Sequence, residues 1–165
     1  MVMKPALRKI ALTVHITSSV GWLGAVVGFL ALVVAALSSQ EIKTVQAVWI
    51  AMELTGWFAI VPLALISLLS GLVMSLCTQW GLLKHYWVLF KLLLTILAIT
   101  VLLLNMQTVS FLAEVANDTG YTDLGGLWGE LIHSGGGLLV LLVITILSVY
   151  KPRGLTRHGR HKQNR

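Results

Sequence analysis

Long apolar stretches separated by short polar segments dominate this 165-residue chain. About 20 apolar residues suffice to cross a bilayer as a helix, and four stretches are long enough. The spans are predicted at residues 10–37, 47–77, 86–113 and 131–150. The pattern therefore predicts an all-α fold, a transmembrane four-helix bundle over residues 1–150 followed by a basic tail over 151–165.

The composition supports a membrane protein before any span is drawn. Hydrophobic residues make up 57% of the chain and charged residues 11%, against roughly 25% charged residues in soluble domains. The first apolar stretch exceeds the roughly 7–15 residues of a secretory signal, so we interpret it as a retained helix. A single cysteine, Cys77, excludes an intramolecular disulfide and a cysteine-based zinc site.

Charged residues segregate between alternate ends of the predicted spans. Basic residues cluster at the amino end, in the second connection and in the tail, namely Lys4, Arg8, Lys9, Lys84 and six residues from Lys151 to Arg165. Acidic residues cluster in the first and third connections, namely Glu41, Glu114, Asp118, Asp123 and Glu130. Because lysine and arginine favour the cytoplasmic side, both termini are predicted to be cytoplasmic, in a bacterial inner membrane.

The predicted partners follow from the same features. The chain lies in the lipid bilayer, and its basic tail is suited to contact anionic lipid rather than nucleic acid. Gly24 and Gly28 form a G-x-x-x-G pair, which lets another helix approach closely in lipid. This spacing predicts a tightly packed face on the first span, and a homo-oligomer stays open as an option.

Each span carries one ionisable side chain on a helical face of small, polar or bulky residues: His15, Glu53, Lys91 and His133. Such groups are expected to face the bundle interior rather than lipid. His15 and Lys91 each lie about 9 Å inside the cytoplasmic boundary, at 1.5 Å per residue. Glu53 and His133 lie near the outer ends of their spans. The spacing therefore predicts an inner site and an outer site, in which Glu53 and His133 are coupled.

Each candidate also has a simpler interpretation. Lys91 is close enough to the boundary to extend its ammonium to the interface. Glu53 could be a neutral carboxyl or an ion-pair partner, and His133 an interfacial histidine. His85 lies beside Tyr86 and Trp87, which favours an interfacial role, and Met74 is either a soft ligand or a packing residue. His15 has no comparable explanation, because no interface lies near it.

The motifs around His15 resemble those of two bacterial groups. His15 is followed by Gly21-Trp22-Leu23-Gly24, and the third span carries Trp87 and Lys91 in a Trp-x-x-x-Lys pattern. These features resemble the copper-resistance D type of membrane protein and the HemJ-type protoporphyrinogen oxidases, and the whole chain is similar to a bacterial family of four-helix integral-membrane proteins. The resemblance implies haem b, with His15 as the ligand and Lys91 as a propionate or substrate partner.

Two classes of function follow from these residues. The first is a haem b-binding membrane protein with a redox or haem-handling role, since bundle cores hold cofactors and histidine is a common axial ligand. His15, Lys91, His85 and Met74 are its candidate cofactor-binding residues. The alternative is a proton- or metal-ion-translocating protein that uses His15, His133 and Glu53, or a structural subunit without chemistry.

Overall fold

The computed structural model describes residues 4–77, 85–119 and 124–150, and these form membrane-length helices. The elements are α1 (Pro5–Ser38), α2 (Ile42–Thr55), a π-helical turn (Gly56–Ile60), α3 (Val61–Leu76), α4 (Tyr86–Thr119) and α5 (Leu124–Tyr150). The segment from α2 through α3 is one continuous span, so the described residues contain four spans. The predicted all-α four-helix bundle is confirmed. The connection between the second and third spans, predicted as a turn at 78–85, lies outside the described residues except for His85, and so does the basic tail at 151–165.

The helices extend well past the apolar stretches that predicted them. α1 begins at Pro5, a residue whose fixed φ suits the first turn of a helix. α4 continues to Thr119 instead of ending near 113, and α5 begins at Leu124 instead of 131. At 1.5 Å per residue the 34 residues of α1 span about 51 Å, more than the roughly 30 Å hydrocarbon core. Polar residues at the boundaries therefore belong to helices rather than loops.

The spans pack in the order in which they occur in the chain. α1 packs against α3 and α5, and α4 packs against α2, α3 and α5, which makes an up-and-down bundle. Four spans place the start of α1 and the end of α5, at Pro5 and Tyr150, at one end of the bundle. We call this the terminal end, and we call the opposite end, where α1 turns into α2, the distal end.

The buried residues of α1 and α3 form seams with spacings of three or four residues. In α1 the buried residues are Ser18, Trp22, Val26, Phe29, Val33 and Ala36. This near-heptad spacing is typical of helices that wind around each other with a left-handed supercoil. His15 lies seven residues before Trp22 and therefore continues the seam toward the terminal end. The largest fully buried side chains are Trp49, Met52, Met106, Leu127, Val33 and Val109.

The π-helical turn accounts for the proline in the second span. The Val61 amide donates to the Gly56 carbonyl, a bond one residue longer than in an α-helix. Pro62 has no amide hydrogen to donate to Phe58, and its ring would collide with that carbonyl in a regular helix. The extra residue relieves the collision. A proline inside an apolar span predicts a local irregularity of the helix, and the π-helical turn is the form that it takes.

The glycine pair predicted to lie on a packed face faces outward instead. Gly24 and Gly28 are both exposed, and a Cβ added at either would meet nothing within 4 Å. The close approach occurs at Gly21, where an added Cβ would lie 3.3 Å from the Leu63 side chain of α3. Within one chain the predicted glycine pair does not pack on another span, because G-x-x-x-G spacing identifies a face of small residues, but not the helix that covers it.

Candidate functional site

A polar cluster joins α1 to α3 toward the terminal end of the bundle. His15 Nδ1 lies 3.1 Å from the Ser67 carbonyl oxygen and 3.1 Å from Ser70 Oγ. Ser19 Oγ and Ser67 Oγ share a hydrogen bond of 2.7 Å. Ser67 and Ser70 are buried, and each lies on the seam of α3. We call His15, Ser19, Ser67, Ser70 and Gly71 the histidine cluster.

The partners of His15 determine which ring nitrogen carries the proton. A carbonyl oxygen only accepts, so the contact with Ser67 requires a hydrogen on Nδ1. Ser70 is consistent with this, because its hydroxyl donates to the Ile66 carbonyl at 2.6 Å and accepts from Nδ1. Nε2 of the neutral ring therefore carries a lone pair, and it has no hydrogen-bond partner among the described residues. Of the described side-chain polar atoms, only Trp49 Nε1 is both fully buried and unpartnered, so Nε2 retains some access.

Gly71 makes room for the imidazole. A Cβ added at Gly71 would lie 3.0 Å from His15 Cε1 and 3.5 Å from Nδ1. The ring thus rests directly on the backbone of α3, where a larger residue would push it away. Backbone contact on one side and hydrogen bonds at Nδ1 together fix the ring in one orientation.

Lys91 lies near the start of α4 and therefore in the terminal half of the bundle, as does His15 on α1. α1 and α4 are diagonal in the bundle. Nζ donates to Ser148 Oγ of α5 at 3.2 Å and lies 5.9 Å from the centroid of the Trp87 ring. The structure thus places both predicted inner-site residues in the terminal half of the bundle, with contacts to different helices.

His85 and Met74, the other two candidate cofactor-binding residues, are not members of the histidine cluster. The His85 carbonyl accepts hydrogen bonds from the amides of Val88 and Leu89, so this residue begins α4. Its ring lies 6.2 Å from that of Trp87, with an angle of 38° between the planes. Met74 is half-buried on α3, one turn beyond Ser70 toward the terminal end. Both lie in the terminal half of the bundle, as does the histidine cluster.

A second polar group lies in the distal half of the bundle, and it includes Glu130, which the sequence analysis had placed in a connection between spans. Glu130 of α5 is 3% exposed, and its Oε2 accepts a hydrogen bond of 2.8 Å from Asn105 Nδ2. Ser134, also buried, donates to the Glu130 carbonyl at 2.6 Å. The prediction that Glu130 belongs to an external loop was therefore wrong. α5 begins at Leu124, and this start places Glu130 on its buried seam three residues after Leu127.

The predicted outer pair is not joined in the structure. Glu53 and His133 are half-buried, and no hydrogen bond or ion pair between them occurs in the described residues. Met52, beside Glu53, occupies the buried seam position of α2. Across residues 4–77, 85–119 and 124–150, no three His, Cys, Asp or Glu side chains are grouped as a metal site would require. A signal for the Glu130–Asn105 pair exists in the sequence, since Asn105 is an amide side chain within the apolar third span.

The fold and the two polar groups together define a class of protein. It is an all-α polytopic membrane protein whose bundle contains the histidine cluster and the Glu130–Asn105 pair. Comparison of the chain with family models, curated proteins and solved structures finds no match. The chemistry of the side chains therefore carries the functional argument. The histidine cluster offers a neutral nitrogen ligand held in one orientation, and the distal pair offers a carboxyl in an apolar surrounding.

Proposed function

We propose that this protein binds haem b through His15 Nε2 and has a redox or haem-handling role. The observation that carries the proposal is the pair of contacts at His15 Nδ1, with the Ser67 carbonyl oxygen and with Ser70 Oγ. A histidine that ligates a metal through one nitrogen commonly donates its other N–H to a carbonyl, which orients the ring and raises its basicity. His15 already makes that second contact with Ser67.

The side chains in the terminal half of the bundle suit the binding of haem. Neutral imidazole is a common axial ligand of haem iron, and an ammonium is a suitable partner for an anionic propionate. His15 would hold the iron and Lys91 a propionate, while Ser70 and Gly71 keep the imidazole in place. Haem, when bound, supplies one-electron chemistry, and the protein tunes it through ligand and burial. His85 and Met74 are the proposed sources of a second ligand.

We also propose that the membrane is the bacterial cytoplasmic membrane, with both termini on its inner side. The support is the charge distribution. Lys4, Arg8 and Lys9 precede the first span, and six basic residues occupy the tail. The histidine cluster then lies in the cytoplasmic half of the bilayer, and the tail is available to anionic lipid.

The experiment compares wild type with His15→Gln and His15→Ala, purified in detergent from cells supplied with haem precursor. Haem per chain is measured by the pyridine haemochrome method, alongside the Soret band and thermal stability. Glutamine keeps bulk and polarity but is a poor haem ligand. We expect both variants to lose haem, even where the glutamine variant keeps the stability of wild type.

His133→Gln is the matched comparison, because it makes the same change at the other half-buried histidine of the spans. We expect this variant to keep its haem. A wild-type protein without haem, or a His15→Gln variant with an unchanged Soret band, would show that the proposal is wrong.

A further inference from the structure

The Glu130 carboxyl is the most buried ionisable side chain in the described residues, and the haem proposal does not use it. Asn105 Nδ2 donates to one carboxyl oxygen, Oε2. The other oxygen, Oε1, has no hydrogen-bond partner among the described residues. A neutral amide does not balance a negative charge, and a carboxylate in an apolar interior is costly without a cation or several donors.

Among residues 4–77, 85–119 and 124–150, no cationic side chain forms an ion pair with the Glu130 carboxyl, and Asn105 is its hydrogen-bond partner. α1 and α4 pack against α5, and most of their charged groups lie at the terminal end, namely Lys4, Arg8, Lys9, His15 and Lys91. Glu114 and Asp118 of α4 are exposed at the distal end, and each is acidic. His133, three residues along α5 on a neighbouring face, is the nearest titratable group on the same helix.

We propose that Glu130 is a proton-binding site inside the bundle, with Oε1 taking the proton and Asn105 holding Oε2. A proton neutralises the carboxylate without the space and ligands that a metal ion needs. The amide hydrogen bond to Oε2 persists in both states, so the side chain can gain and lose a proton without rearranging. Glu130 therefore gives the membrane interior a proton acceptor and donor.

Reaction with dicyclohexylcarbodiimide, an apolar reagent that enters membranes, tests the proposal on the full chain in detergent or membranes. The reagent consumes a protonated carboxyl: the carboxyl proton moves to a carbodiimide nitrogen, and the carboxyl oxygen bonds to the central carbon. We expect mass spectrometry to map the adduct to Glu130. Above the pH at which half of the Glu130 carboxyls are protonated, labelling should fall about tenfold per pH unit, as for a one-proton equilibrium.

Three variants make the assignment specific. Glu130→Gln should abolish the adduct, whereas Glu53→Gln, which removes the other carboxyl within the spans, should leave it intact. Asn105→Leu removes a donor that stabilises the charged form, so labelling should persist to higher pH. A water-soluble carbodiimide should modify exposed Glu114 and Asp118 instead, and spare Glu130.

Several results would overturn the proposal. They are labelling that does not vary with pH, labelling at Glu53 in place of Glu130, and competition by sodium ions at fixed pH, which would identify a cation site. Mapping in wild type keeps the test valid if the glutamine variant fails to fold. No haem is required, so this experiment and the haem measurement can fail separately.

Discussion

At the scale of single residues, the position of a side chain on its helix, and not its type, decides whether it lies inside the bundle. Glu53 and Glu130 are both acidic residues near the distal end, and the sequence favoured Glu53 as the interior carboxyl. The structure buries Glu130 on the seam of α5 and leaves Glu53 half-buried beside the seam of α2. One helical position corresponds to about 100° of rotation, and this rotation separates an interior group from one at the edge of the bundle.

Gly71 provides a prediction at this scale. Gly71→Ala should destabilise the protein by about 1–3 kcal/mol, the usual cost of overpacking, because the new methyl group would press on a ring that two hydrogen bonds hold. Gly24→Ala is the matched control in a transmembrane helix. It meets nothing within 4 Å, so stability should be unchanged or slightly raised by helix propensity.

Thermal unfolding in detergent, followed by circular dichroism, measures both glycine variants under identical conditions. Equal stability of the two variants would show that the imidazole does not rest on α3 as described. The Gly71 variant should also lose haem affinity if His15 is the ligand, since the ring would be displaced.

At the scale of elements, the π-helical turn aligns the buried residues of α2 with those of α3, so that both halves of the second span face the bundle. Before the turn, the buried residues Val45, Trp49, Met52 and Gly56 follow alternating steps of four and three. After it, Ile60, Ala64 and Ser67 continue the seam one position later than that alternation requires. The inserted residue thus keeps both halves of the span directed at the bundle, including the serines that bind His15.

Deleting one residue should therefore be tolerated only inside the turn. In a Pro62→Ala background, where a continuous α-helix is possible, deletion of Ala59 removes the extra residue and keeps both seams aligned. Deletion of Leu69, an exposed apolar residue in regular α3, should rotate the following turn by about 100° and separate Ser70 from His15.

Yield of monodisperse protein and thermal midpoint in detergent measure the two deletions. We expect the Ala59 deletion to stay close to its parent and the Leu69 deletion to fall well below it. A reversed order would mean that the turn does not act as a one-residue insertion.

At the scale of the whole molecule, the charge distribution predicts which end faces the cytoplasm. With Cys77 replaced by alanine, Gln40→Cys should react with a membrane-impermeant maleimide in intact cells, because residue 40 is exposed at the distal end. Lys4→Cys, exposed at the terminal end, should react only after permeabilisation. Labelling of Lys4→Cys in intact cells would invert the orientation and place the histidine cluster in the outer half of the membrane.

The sequence by itself determined the number of spans, the all-α class and the shared side of the two termini. These depend on properties that are local to each segment: length, hydropathy and the internal hydrogen bonds that a helix forms in lipid. It also predicted that His15 and Lys91 lie at similar depth, because depth along a helix follows from residue counting.

Only the tertiary structure decided which face of each helix meets a partner. Lipid tails are as apolar as leucine, so hydrophobicity does not distinguish a lipid-facing stripe from a packed one. This is why Gly24 and Gly28 faced outward while Gly21 and Gly71 met other helices, and why Glu130 was interior. The hydrogen bond between His15 and the Ser67 carbonyl joins residues 52 positions apart, and it exists only once the two spans pack.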